Sequence, residues 1–112
     1  MPLELLYEKC RLTAALIGEI DHHNAVFLRG QIDQALAKLR PPMLTLDFDR
    51  VTFMDSSAVG LVMGRFKTLS AWNGALEVVN LSPAAYRVMR LSNLQSLAKL
   101  KQKTEEKERT GV

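Results

Sequence analysis

The chain is poor in several features that mark common protein classes. It has a single cysteine, Cys10, among 112 residues, which excludes an internal disulfide and a site built from several cysteine ligands. No apolar run reaches the length of a membrane span, and the N-terminus lacks a signal-peptide pattern. Aromatic residues make up only 6% of the sequence, which gives little support for stacking on nucleic-acid bases. We therefore expect a cytoplasmic protein that binds neither membranes nor nucleic acid.

A concentrated basic surface is also missing. The formal net charge is +3, but residues 99–112 hold five basic and three acidic side chains, so the rest of the chain is nearly neutral. This distribution indicates a mixed-sign, solvated tail rather than a patch that binds nucleic acid. We predict one domain over residues 1–100 and a polar C-terminal tail over residues 101–112, with a short exposed helix over 104–109.

The apolar pattern predicts strands and helices that alternate after an N-terminal hairpin. Asp21 or Asn24 can cap the first helix, and Pro41 and Pro42 end it. The order predicts an α/β fold whose mixed sheet has a parallel part and helices packed against it. The predicted strands cover residues 3–9, 11–17, 43–48, 76–79 and part of 94–100, and the predicted helices cover 24–39, 57–69 and a segment beginning at Ser82 and Pro83.

The most informative segment is residues 53–60 (FMDSSAVG), between an apolar strand and a helix. It places the hydroxyls of Ser56 and Ser57 beside the carboxylate of Asp55 at a helix N-terminus, where free N–H groups and a partial positive charge favour an anion. A phosphate on a serine there is compatible with the fold. Simple capping of the helix explains the same residues, and the pattern alone leaves both interpretations open.

The position of this segment in the sheet suggests a neighbour for it. If the strands ending at Asp21 and at Asp47 are parallel, their following loops emerge at the same edge. We therefore expect Asp21 beside the Asp55–Ser56 loop.

The helix after Ser56 has two distinct faces. The spacing of Gly60 and Gly64 after Ser56 makes a bare stripe, which suits a docking partner or admits a neighbouring element. The apolar residues expected to face the sheet are Val59, Val62, Phe66 and Leu69 in this helix, and Val88 and Leu91 in the next.

Enzymatic interpretations have less support. A serine hydrolase needs a histidine base, but His22 and His23 lie on a different loop without a nucleophile-elbow pattern, and we interpret them as surface residues. Asp47, Asp49 and Asp55 allow an acidic pocket like that of a phosphohydrolase, although the opening hairpin fits such folds poorly.

Four segments, in order, resemble the anti-sigma-factor antagonists of the STAS domain family, and most of all their sporulation branch. The likeness spans about Leu5 to Leu94. Its segments are residues 18–23 (GEIDHH), 53–60 (FMDSSAVG), 64–67 (GRFK) and 81–83 (LSP).

The resemblance implies a binding module rather than an enzyme, with no metal or cofactor of its own. It implies binding to an anti-sigma factor that is also a serine kinase and carries the ATP or ADP, so that the sigma factor is released. The kinase would then phosphorylate the first serine, Ser56, and a protein serine phosphatase would reverse this. A scaffold in a stress-signalling assembly is an alternative role within the family.

The strand order and the helical spacing indicate which residues surround the acceptor. We expect the free chain to be a monomer. Family members usually have glycine where this chain has Ala58, and alanine favours a stiffer helix start. The residues that would frame the acceptor are Asp21, Asp55 and Ser57, and those that would receive the kinase are Gly60 and Gly64.

Overall fold

The computed structural model describes residues 2–104, so residues 105–112 of the predicted tail, and nearly all of the helix predicted over 104–109, lie outside it. Within these described residues, five strands form one sheet in the order β1-β2-β3-β4-β5. β1 and β2 are antiparallel, and each later strand is parallel to its predecessor, which confirms the predicted mixed α/β fold with its N-terminal hairpin. The elements are β1 (Leu3–Glu8), β2 (Arg11–Ile20), α1 (His22–Leu39), β3 (Met43–Met54), α2 (Ser57–Ser70), β4 (Ala75–Leu81), α3 (Pro83–Leu91), a 3₁₀ turn (Leu94–Ser96) and β5 (Lys99–Gln102).

A two-residue turn at Lys9 and Cys10 joins the strands of the hairpin. Both residues have positive φ angles, 52° and 62°, as a type I′ turn requires, and this turn matches the twist of the flanking strands. Cys10 is exposed there.

The core lies between the sheet and all three helices. Successive parallel strands are neighbours in the sheet, so every crossover connection leads to the next strand in the same direction across the sheet. Because such connections are right-handed, each one places its helix on the same face of the sheet. Buried side chains of adjacent strands meet there in register, as Leu12 does with Leu44, and Leu44 with Leu76. The largest helix side chains that are fully buried are Leu28, Ile32, Leu36, Leu69 and Met89.

The opposite face of the sheet carries a buried acid. Glu77 accepts a hydrogen bond from the Thr45 hydroxyl at 2.8 Å, and it lies 3.4 Å from Arg11 and 3.5 Å from Lys101. Burial alone would raise the pKa of Glu77, but the Thr45 hydrogen bond and the two cations together hold it below its usual value.

Strand lengths differ from the predicted ones. β3 continues past Phe48 to Met54, because residues 50–54 pair with the end of β2, whereas β4 pairs with β3 only as far as Asp47. In this second half of β3, only the edge that pairs with β2 is hydrogen-bonded to another strand, and polar and apolar residues alternate. It therefore lacks the continuous apolar run of the first half. The predicted last strand is partly wrong, because Leu94–Ser96 is a 3₁₀ turn and β5 begins only at Lys99.

The predicted core contacts of α3 are wrong. Val88 is 39% exposed and Leu91 is 80% exposed, whereas Ala85 and Met89 are buried. Ser82 and Pro83 begin the helix as predicted, and from that start the sheet-facing stripe runs through Ala85 and Met89.

The buried face of α2 is broader than predicted. Val62 and Leu69 are buried as expected, while Val59 and Phe66 are only partly buried. Because α2 packs against α1 as well as the sheet, its buried set also takes in Ala58, Leu61 and Arg65. Within residues 2–104, no helix combines the length and hydropathy needed to cross a membrane.

Candidate functional site

Two loops meet at the edge where β2 and β3 end. Ile20 lies beside Met54 in the parallel register, and the N–H of Asp55 donates to the Ile20 carbonyl at 3.2 Å. Asp21 and Asp55 each follow directly, so the structure brings these two loops together as the strand order predicted.

Asp21 begins α1. Its backbone is extended, and its Oδ1 accepts a hydrogen bond from the backbone N–H of Asn24 at 2.8 Å. Asp21 therefore caps the helix, and the helix starts two residues earlier than predicted. His22 and His23 consequently lie in the first turn of α1, not on a loop, and both are exposed.

At the start of α2 the residue that satisfies a free N–H group is Asp55. Its Oδ1 accepts from the backbone N–H of Ser57 at 2.8 Å. Ser56 makes no capping hydrogen bond through its side chain, and the residue is exposed. The Asp55 carboxylate therefore caps α2 in place of the serine pair, and the Ser56 hydroxyl makes no capping hydrogen bond.

Backbone geometry explains why Ser56 does not cap. An N-cap residue needs extended backbone to turn its side chain back toward the helix N–H groups. Ser82 has that geometry, with φ −65° and ψ 162°, and its hydroxyl accepts from the N–H of Ala85 at 3.1 Å. Ser56 is already helical, with φ −63° and ψ −13°, so its hydroxyl does not turn back.

A groove of about 250 Å³ lies between the N-terminal turns of α1 and α2, and Ser57 is among its lining residues. Gly60 belongs to it, and a Cβ placed on either Gly60 or Gly64 would meet no atom within 4 Å. The bare stripe therefore faces open space, and within residues 2–104 no neighbouring element needs the glycines. The residues that line the groove are His22, Ala25, Val26, Arg29, Ser57, Gly60 and Leu61.

Both helices carry exposed apolar side chains, and one of these, Val26, lines the groove. Val26 and Phe27 of α1 are 50% and 46% exposed, and Met63 of α2 is 44% exposed. Sequence reasoning missed all three, because their periodicity is also that of a helix core, and only the packing of α1 on α2 shows that they point outward.

An ion pair between a buried arginine of α2 and a partly exposed aspartate of α1 links the two helices. Arg65 Nε lies 3.0 Å from Asp33 Oδ1, and only 4% of the arginine side chain is exposed. Burial lowers the pKa of Arg65, which the carboxylate of Asp33 partly opposes. The pair therefore contributes to the packing of α1 against α2.

A second cleft, of about 290 Å³, lies between the end of β3 and α3. Phe53, which is 55% exposed, is among its walls. The remaining lining residues are Phe48, Asp49, Val51, Thr52, Met54, Asn80, Ser82, Ala84, Ala85, Val88 and Lys103. Sequence patterns could not predict this cleft, because it forms between segments that are distant along the chain.

The carboxylates of the possible acidic pocket have other partners. Asp47 Oδ1 accepts from Asn80 Nδ2 at 2.8 Å and from the N–H of Asp49 at 3.0 Å. Asp49 forms an ion pair with Lys103 at 2.9 Å. Across residues 2–104, no three acidic, histidine or cysteine side chains are grouped in a way that could hold a metal ion.

Comparison with known proteins identifies the family of this chain. The STAS domain model matches residues 8–107. The chain is 30% identical over 94 residues to the anti-sigma F factor antagonist of Paenibacillus polymyxa, covering 84% of this chain and 80% of that protein. It is 37% identical over 79 residues to the protein of the same name from Lysinibacillus sphaericus, covering 70% of this chain and 68% of that one.

Solved structures agree in fold. SpoIIAA, an anti-sigma factor antagonist solved in its unphosphorylated form, superposes with a TM-score of 0.72 at 29% identity, covering 97% of this chain and 94% of that one. The phosphorylated form of SpoIIAA from Bacillus gives a TM-score of 0.71 at 31% identity, covering 97% and 96%. Both the resemblance read from the sequence and the expected fold are confirmed, and the chain belongs to the STAS domain family.

Proposed function

We propose that this chain is an anti-sigma-factor antagonist controlled by phosphorylation of Ser56. In this proposal it binds an anti-sigma factor that is also a serine kinase, and binding releases the sigma factor. The kinase then modifies Ser56, the modified chain dissociates, and a protein serine phosphatase restores it. The relatives named above are antagonists of anti-sigma factors, and SpoIIAA has been solved with and without a phosphate.

The observation that carries the proposal is the free hydroxyl at the start of α2. Asp55 satisfies the N–H of Ser57, so Ser56 is exposed and its hydroxyl is not needed for the cap. A kinase can therefore transfer a phosphate to Ser56 without first breaking a contact that holds the helix. The partial positive charge of the helix N-terminus then stabilises the product by about 0.3–1 kcal/mol.

The same geometry supports a docking face beside the acceptor. The partner would approach over the open stripe of Gly60 and Gly64 and along the groove between α1 and α2. Asp21, Asp55 and Ser57 would frame the acceptor from the two adjoining loops. Val26, which lines the groove and is 50% exposed, supplies apolar surface of the kind that a protein partner buries.

The switch would act on that interface. A phosphoserine carries close to two negative charges and three acceptor oxygens. Because Asp21 and Asp55 already place carboxylates on the neighbouring loops, the added dianion makes the face strongly negative. A partner whose surface fits the neutral serine would then have to remove water from this dianion or place like charge beside it. Either effect weakens binding.

The chain would contribute no chemistry of its own. The ATP and the catalytic groups would belong to the kinase, so this chain needs neither a nucleotide nor a metal. The chain would act in the cytoplasm, where sigma factors direct RNA polymerase.

The test is incubation of the purified chain with the anti-sigma factor kinase of its own organism and ATP. Intact mass should show one added phosphate, and peptide mapping should place it on Ser56. A phosphate on Ser57, or none, would contradict the proposal. Metal-dependent phosphatase activity of the purified chain alone would instead support the phosphohydrolase built on Asp47 and Asp49.

A further inference from the structure

The outer edge of the sheet at β1 is apolar and unpaired within residues 2–104. β1 is the first strand in the sheet order and pairs only with β2. Leu5, Leu6 and Tyr7 are 42%, 57% and 42% exposed. An edge strand of this kind presents a row of free backbone N–H and C=O groups beside apolar side chains, which is a template for pairing with another strand.

The existing hydrogen bonds show which backbone groups point outward. In an antiparallel ladder one residue directs both its N–H and its C=O to the neighbouring strand, and the next residue directs both away. The carbonyl of Pro2 accepts from the N–H of Ile17 at 2.9 Å, so Pro2 and every second residue after it face β2. The outward groups of β1 therefore belong to Leu3, Leu5 and Tyr7.

We propose that β1 is an interface between two copies of this chain, which pair antiparallel about a twofold axis at Leu5. In this register Leu5 lies opposite Leu5 of the second copy, and Leu3 lies opposite Tyr7 of the second copy. Every outward-facing residue of each strand then has a partner. The contact is isologous, as a closed dimer requires, and it joins the two sheets into one.

Charge selects this register over its neighbours. Here Glu4 lies opposite Leu6 of the second copy, so no glutamates face each other. A shift of two residues in one direction places Glu4 opposite Glu4, and a shift in the other direction places Glu4 opposite Glu8. Like charges directly opposite each other destabilise a strand pair, so both shifted registers are less favourable than the Leu5-centred one.

The interface leaves the phosphorylation site free. β1 pairs with residues 11–16 of β2, so the end of β2 and the loop at Asp21 lie beyond its reach. Both copies would keep an open face for a partner. Because one short strand from each copy makes a contact below the size of a stable interface, the monomer expected from the sequence should predominate in dilute solution and the dimer at high concentration.

The test is sedimentation velocity from about 10 μM to about 1 mM, which spans the range of weak association. The wild-type mass should rise toward that of a dimer. Leu5→Pro removes only an outward N–H, which an edge strand tolerates, and should raise the dimer dissociation constant at least tenfold. Leu91→Ser, which replaces another exposed leucine, should leave it unchanged. A wild-type chain that stays monomeric at about 1 mM would overturn the proposal.

Cross-linking tests the register without relying on a proline. In a Cys10→Ser background, Leu5→Cys should form a disulfide dimer under mild oxidation. Opposed residues of a hydrogen-bonded pair have Cα atoms about 5.5 Å apart, within the range that a disulfide spans. Leu6→Cys is the matched control, since the two Leu6 positions are offset along the strands and should cross-link poorly. Equal or faster cross-linking of Leu6→Cys would refute the Leu5-centred register.

Discussion

The carboxylate of Asp55 lies 2.8 Å from the backbone nitrogen of Ser57, and this hydrogen bond settles which side chain is free at the start of α2. Because the bond satisfies one of the unpaired N–H groups of the helix, the serine between the two residues has no structural task there. The acceptor proposed for phosphorylation is thus separated from the residue that holds the helix in place.

This separation predicts unequal effects of two alanine substitutions on stability. Ser56→Ala removes an exposed hydroxyl without a capping bond, so the free energy of unfolding should change by less than about 0.5 kcal/mol. Asp55→Ala removes the bond to Ser57 and should cost about 1 kcal/mol. Ser82→Ala, which removes a true serine cap, is the control and should also cost about 1 kcal/mol. Urea unfolding measures all three, and a larger loss for Ser56→Ala than for Asp55→Ala would contradict the geometry.

The bare stripe on α2 predicts a loss of binding without a loss of fold. Gly60→Leu and Gly64→Leu should keep or slightly raise stability, because glycine costs a helix about 1 kcal/mol relative to better helix formers and the new side chains meet open space. Each should weaken binding of the kinase by blocking the stripe. Gly30→Leu is the matched control, since Gly30 is also helical and open but does not line the groove. Calorimetry that finds unchanged affinity for both α2 variants would place the partner elsewhere.

Glu77 predicts how stability responds to acid. Its pKa in the folded state lies below the ordinary glutamate value of about 4.3, because the Thr45 hydrogen bond and the cations Lys101 and Arg11 outweigh its burial. The folded chain therefore binds fewer protons than the unfolded chain. The stability that this provides is fully present above the ordinary value and is lost as pH falls toward the folded pKa.

Urea unfolding between about pH 7 and pH 3 checks this assignment. Glu77→Gln should flatten the fall in unfolding free energy below about pH 5 relative to the wild type. Thr45→Val should move the fall to higher pH, because it removes the hydrogen bond that favours the carboxylate. Parallel curves for the wild type and Glu77→Gln would show that other carboxylates cause the acid response.

The exposed position of Ser56 predicts a surface switch rather than a rearrangement. A phosphate at the helix N-terminus meets a favourable partial charge and replaces no internal contact. Amide chemical shifts of the two forms should therefore differ only in the loops at Asp21 and Asp55 and the first turns of α1 and α2. Widespread changes in β3 and β4 would indicate a conformational switch instead.

Much of the fold could be predicted because local signals and tertiary structure agree. The hairpin, the alternation of strands and helices and the neighbouring loops at Asp21 and Asp55 all follow from apolar spacing and the parallel order. The stop at Pro41 and the cap at Ser82 have equally local causes.

The parts that sequence reasoning missed depend on packing or on a single torsion angle. Whether Ser56 caps α2 is decided by its ψ angle, which the sequence does not reveal. Val88 and Leu91 have core-like spacing, but a short helix with apolar residues on two faces gives no rule for choosing between them. Val26 is exposed because of how α1 packs on α2, which is a relation between elements rather than a property of either helix.

A phosphate on Ser56 should release the chain from its anti-sigma factor. The most direct measurement is calorimetric titration of the anti-sigma factor with the unmodified chain, the chain phosphorylated on Ser56, and Ser56→Ala. The unmodified chain and Ser56→Ala should bind with similar affinity. The phosphorylated chain should bind several hundredfold more weakly, which corresponds to an interface penalty of about 3–4 kcal/mol. Equal affinity of the phosphorylated and unmodified chains would contradict the claim.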